Sequence, residues 1–197
     1  MKARSGSPFL DDFAASRAAL AFAFAWGLAE ATFFFIVPDV LLTLIASRAL
    51  KPALKATITS LAGALAGGMV MYAFGVRNPD GARVFLDNVP GISPALIKGV
   101  IEQINNSGLV AVLIGPLKGI PYKIYAVEWG TREGGLLLFL LISIPARYLR
   151  FLLVTLAARG IARVIEPLTH HRAAIEISIL SVFWVAFYSF YFIRFGL

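Results

Sequence analysis

Cysteine is absent from the 197 residues, which excludes a disulfide framework, a thiolate metal site and a thiol nucleophile. Acids are scarce, 11 against 18 lysines and arginines, and there are two histidines. Gly-rich phosphate loops, HExxH and GxSxG are also missing, so the common signatures of nucleotide, zinc-hydrolase and serine-hydrolase chemistry are lacking. His170-His171 sit on a basic stretch with only Glu166 close by, a poor ligand set that reads better as a solvated loop. No enzyme activity, metal or cofactor is expected.

What the chain has in excess is apolar surface. Its 59% hydrophobic content and mean hydropathy of +0.80 exceed the roughly 45–50% apolar content of soluble domains. A formal charge of +7 would suggest nucleic acid on a soluble protein. Here the bases stand between apolar blocks, which fits loops beside a membrane and anionic lipid, with no nucleic-acid partner. Residues 1–17 and the apolar run after them, with Ala29-Glu30-Ala31, have the outline of a signal peptide. Asp11 and Asp12 in the leading region, and an apolar run that continues through Val37, argue for an uncleaved segment.

Residues 18–37 are apolar except for Glu30 and Thr32, Pro38-Asp39 interrupts them, and 40–50 form a second apolar piece. Eleven residues at 1.5 Å each cannot cross a hydrocarbon core of ~30 Å. Residues 18–50 therefore read as a re-entrant hairpin, which must be buried inside the bundle to shelter its broken backbone. Residues 57–76 read as a transmembrane helix, with Gly63, Gly67, Gly68 and Gly75 allowing close packing. The turn-rich 77–94 reads as loop, and Leu96, Ile97, Val100, Ile101 and Ile104 as one face of a short interfacial helix within 77–108. Residues 109–130, broken by Pro116, Gly119 and Pro121, form a second hairpin, with Glu128 and Trp129 marking its return to the headgroup level. A transmembrane helix over 136–157, a basic loop over 159–175 and a last span over 177–193 complete the order.

The fold expected is all-α and polytopic. It has two hairpin-plus-helix units, an inverted repeat of the kind common in transporters, and a C-terminal helix. Residues 18–158 make up the membrane domain. The N-terminus, the 48–55 cluster and the 159–172 loop fall on one side with nine bases, against Arg77, Arg83, Lys98 and Arg132 on the other. The basic side, with residues 1–17, is expected to be cytoplasmic and the location to be the cell membrane.

Four bases remain within the apolar segments: Lys118, Lys123, Arg147 and Arg150. A charge at the centre of a membrane helix costs roughly 2.5 to 3.5 kcal/mol, so each needs a partner, a cavity or a task. Arg147 and Arg150 share a face at i+3, just after Pro145, which should kink the helix. They could clamp an anionic headgroup, or form ion bridges to Glu30 and Asp39. The two acids would act as proton carriers or counter-ions, and Asp39 could also be a cap after Pro38. Lys118 and Lys123, amid exposed backbone, could hold a phosphate or snorkel to the interface.

Glu30, the Pro38-Asp39 turn, Lys118-Gly119-Ile120-Pro121-Tyr122-Lys123 and the Arg147/Arg150 helix together resemble, over roughly residues 25–158, the DedA family, also called the VTT or SNARE-associated domain family. The chain departs from the family pattern. It lacks the glycine of the usual Pro-Gly-acid turn, it has lysines where the family has Arg-x-x-Pro-x-x-Arg, and that motif is one residue shorter. Lysine offers phosphate a point charge where arginine offers a fork, so the resemblance is to a divergent member. It implies a flippase or scramblase for an anionic lipid such as a phospholipid or polyprenyl phosphate, with Lys118, Lys123, Arg147 and Arg150 on the headgroup and Glu30 and Asp39 balancing charge or coupling to protons. The expected partners are membrane lipids; a homo-oligomer is compatible with this reading. The alternative is a non-transporting membrane scaffold or assembly factor whose buried ions only fix packing. A lipid-phosphate enzyme would need a nucleophile or metal that the sequence does not offer.

Overall fold

A computed structural model of the chain describes residues 8–165 and 172–195. Among these the chain is helical, without strands. In order come α1 (Pro8–Ala15), α2 (Arg17–Glu30), α3 (Asp39–Arg48), α4 (Leu50–Arg77), α5 (Pro79–Asp87), α6 (Pro94–Ser107), α7 (Leu109–Ile114), a 3-10 turn (Pro116–Lys118), α8 (Tyr122–Thr131), α9 (Leu136–Ile165) and α10 (Arg172–Phe195). Three helices, α4, α9 and the Ala174–Arg194 part of α10, are long and apolar enough to cross a membrane. At 1.5 Å per residue the 28 residues of α4 and 30 of α9 run ~42 and ~45 Å, more than a ~30 Å hydrocarbon core requires. This is compatible with a membrane protein.

Several element ends differ from the sequence expectation. The first apolar run stops being helical at Glu30, well short of Pro38. There the Thr32 hydroxyl donates to the carbonyls of Leu28 and Ala29, and the β-branched and aromatic residues that follow are weak helix formers. Pro38 then holds Val37 out of the helical region. The expected loop after Arg77 contains α5. Asn78-Pro79-Asp80-Gly81 starts a helix here, because the Asn78 side chain accepts from the Gly81 amide at 2.9 Å and Pro79 suits the first helical position. Helix α4 begins at Leu50, taking in the 51–55 bases, and α9 runs through Pro145 to Ile165, taking in Arg159 and Arg163 of the expected loop. His170 and His171 lie outside the described residues.

Helix α4 is the centre of the bundle: α2, α3, α5, α8 and α9 all pack on it. Two glycine crossings bring backbones together. A Cβ on Gly63 would lie 2.0 Å from the Phe24 carbonyl oxygen, and one on Gly75 2.2 Å from that of Val127, so only glycine permits these approaches. The first half of α4 thereby receives α2 and the second half α8, matching the expected glycine stripe. Helix α1 touches α2, α3 and α4. Likewise α6 touches both α7 and α8.

Candidate functional site

Between α2 and α3, residues 31–38 form an irregular stretch whose freed backbone groups find side-chain partners from three other places. Trp26 Nε1 donates to the Ile36 carbonyl at 2.9 Å, Lys123 Nζ to the Phe34 carbonyl at 2.7 Å, and the Val37 amide donates to the Tyr188 hydroxyl at 2.8 Å. Buried backbone requires such pairing. The stretch between α7 and α8 is built differently. The amides of Lys118 and Ile120 both return to the Gly115 carbonyl, at 3.0 and 3.2 Å, and Pro116 and Pro121 have no amide to satisfy. Gly119, at φ +87, closes the 3-10 turn in a conformation that favours glycine.

The two acids of the first unit sit at the edges of its irregular stretch, Glu30 ending α2 and Asp39 opening α3. Each meets an arginine of α9. Glu30 and Arg147 form a two-pronged ion pair, with the Nη1 to Oε1 contact at 3.5 Å and a closer one between Nη2 and Oε2. Arg150 Nη2 donates to Asp39 Oδ2 at 2.5 Å. Asp39 is the first residue of α3, with Pro38 at the cap position; its carboxylate meets Arg150 through Oδ2, and Oδ1 has no hydrogen bond among the described residues. Arg147 has 0% exposure and lies 5.0 Å from the Tyr122 ring centre and 4.8 Å from that of Phe151, so two aromatic faces share its charge. Tyr122 is itself held, stacked on Phe139 and donating to Ser143 at 2.9 Å.

Of the four bases singled out in the sequence, three come together. Lys123 in the first turn of α8 is buried, and Glu30 is acted on electrostatically by Arg147, Lys123 and Arg150. Lys118 is exposed, and its side chain has no hydrogen bond or ion pair among the described residues. Arg147, expected on the headgroup, is enclosed by Glu30 and the two rings and does not line the cavity described next.

That cavity, of about 40 Å³, has room for roughly three waters at 10–15 Å³ each. Both irregular stretches wall it, through Phe35 and Val37 on one side and Gly119, Ile120 and Pro121 on the other. Glu30, Lys123 and Arg150 supply its charge, while Val89, Pro90 and Ile92 and α10 residues Phe187, Tyr188 and Tyr191 close it. A second, larger crevice of about 290 Å³ lies between α3, α9 and α10, with an almost wholly apolar lining. One stripe of α10 borders both: Glu176, Leu180 and Phe183 on the crevice, then Phe187 and Tyr191 on the cavity. Those spacings of three and four residues keep them on a single helix face.

Two further buried acids were not singled out as site candidates from the sequence. Glu128, expected at the headgroup level, is fully buried; Arg83 grips it through Nε and Nη2, both at 2.8 Å, and Arg132 stands 3.6 Å away. This bond raises the Arg83 pKa further above its usual value. Glu176 pairs with Arg48 at 3.5 Å, both nearly inaccessible. The signal was the same one that marked Glu30, a single acid in an apolar stretch.

No family model matches the chain, and no solved structure matches it. A relative from Haemophilus influenzae, named only as an uncharacterized protein, is 30% identical over 135 residues, covering 66% of this chain and 68% of the relative. The chain belongs to that protein's family. The relative's name states no activity, so membership establishes kinship and leaves function to be argued from the site.

Proposed function

We propose that the protein is a membrane lipid transporter, a flippase or scramblase that moves an anionic headgroup past the buried charges while its tails stay in the bilayer. The observation that carries this reading is one face of α10 running from an apolar crevice to a charged cavity, an arrangement suited to a molecule with an apolar tail and a charged head. In this proposal α2–α3 and α7–α8 are re-entrant hairpins entering from opposite sides of the cell membrane, with the N-terminus cytoplasmic. The lengths support it: 14 residues in α2 and 10 in α3 give ~21 and ~15 Å, short of a full crossing. Kinship with the DedA family is part of the same proposal and rests on the order of Glu30, Asp39, Lys123, Arg147 and Arg150.

In this proposal the labour is divided among these residues. Lys123 and Arg150 line the cavity and contact the headgroup, Arg147 anchors Glu30, and Glu30 and Asp39 hold the arginines when the cavity is empty or carry protons during transfer. Full-length protein in vesicles should move labelled phospholipid between leaflets faster than protein-free vesicles do, and Arg150→Met should slow it. Transfer at the protein-free rate would overturn the proposal. It would favour a second reading, a non-transporting scaffold, which the pairing of Arg147 with Glu30 and Arg150 with Asp39 supports.

A further inference from the structure

This inference rests on the proposed function, that the charged cavity receives a headgroup. Two acids, Glu30 and Asp39, and three bases, Lys123, Arg147 and Arg150, lie in or directly behind it, which leaves one positive charge in excess. Both arginines are committed to carboxylates. Lys123, at 2% exposure, forms no ion pair among the described residues. Of its three N–H donors one goes to the Phe34 carbonyl, and a neutral acceptor does not cancel a charge. Its place in the first turn of α8 adds to the imbalance. The amino end of a helix bears partial positive charge, the first turn of α8 contains no acid, and Pro121 before it provides no side-chain cap.

We infer that Lys123 sets the charge of the accepted headgroup at one negative unit, that of a phosphodiester. One monoanion brings the five-ion cluster to neutrality. A zwitterionic headgroup leaves the excess positive charge in place, and a dianion replaces it with an excess negative one. Either remainder is an uncompensated charge in an apolar setting, which is strongly unfavourable. The remaining donors of Lys123, with Arg150 lining the same cavity, supply the hydrogen bonds that a phosphodiester oxygen requires.

The test is binding by the purified full chain in detergent, read as the ligand-dependent rise in Tm. The probes are a short-chain phosphatidylglycerol of charge minus one, a short-chain phosphatidylcholine, and inorganic phosphate, applied to wild type, Lys123→Met and Lys123→Arg. Wild type should bind the anionic lipid about tenfold more tightly than the zwitterion, as one compensated charge implies. Lys123→Met should erase that preference and Lys123→Arg should keep it, which separates lost charge from lost fold. An unchanged preference in Lys123→Met, or none in wild type, would overturn the inference. Inorganic phosphate acting as well as the lipid would assign the site to a free anion and overturn a lipid source. If binding behaves as expected while vesicles show no transfer, the transport reading falls and the charge rule stands; transfer indifferent to headgroup charge removes the charge rule alone.

Discussion

The two irregular stretches are built on opposite plans. Residues 31–38 carry acids at both edges, each caught by an arginine of α9; the amides of Ala31 to Phe34 return to the Gly27 and Ala29 carbonyls, and the Phe34 and Ile36 carbonyls and the Val37 amide are satisfied by side chains from α8, α2 and α10. The stretch between α7 and α8 satisfies its own backbone through Gly115, Gly119 and two prolines; it carries Lys118, with Lys123 just beyond it in the first turn of α8, and neither forms an ion pair among the described residues. The later part of the first stretch therefore depends on the rest of the bundle for its shape, whereas the second is locally determined, with Lys118 outward at the surface and Lys123, after it in α8, at the cavity. Matched charge in one and unmatched charge in the other place the open valence of the site on α8.

This contrast can be broken at graded points. The largest effect belongs to Arg147→Met, which strands Glu30 as a buried, unpaired acid and should cost about 3 to 5 kcal/mol, read by thermal or denaturant unfolding. Adding Glu30→Gln should recover more than half of that loss, because the stranded charge goes with it. Arg150→Met should cost less, about 1.5 to 3 kcal/mol, because Arg150 retains 17% side-chain exposure and water can partly replace it. Glu128→Gln, outside both stretches, sharpens the comparison. Its partners Arg83 and Arg132 are about one-third exposed, at 36% and 29%, so its loss should cost about 1 kcal/mol. Lys118→Ala should change Tm and lipid binding least, within about 0.5 kcal/mol. A large effect there would mean that the exposed lysine of the second stretch works together with Lys123.

The apolar runs were legible in the sequence because a long block of hydrophobic residues has few alternatives, and the lone acid Glu30 was legible because nothing local requires a charge there. Partners were legible as an alternative, the ion bridges of Arg147 and Arg150 to Glu30 and Asp39, which the structure shows, but not which acid meets which arginine. Glu30 and Arg147 lie 117 positions apart and Asp39 and Arg150 111, and pairing at that distance depends on how α2, α3 and α9 pack on α4. Helix ends were misread where one residue type serves two purposes. Asn78-Pro79 suits a turn or a helix start, and Thr32 ended α2 by bonding back to its own carbonyls, a contact with no pattern to mark it. The burial of Glu128 was not read, although an acid beside Ile124 to Val127 carried the same signal as Glu30.

The central claim, that α2 and α3 enter and leave by one face of the membrane, is open to a direct measurement because the chain has no cysteine of its own. Ala15→Cys and Lys51→Cys are both at exposed positions flanking the pair. Each can be challenged with a membrane-impermeant maleimide applied to sealed right-side-out or inverted vesicles. Both should label from the same side, and reaction of the two from opposite sides would contradict the account.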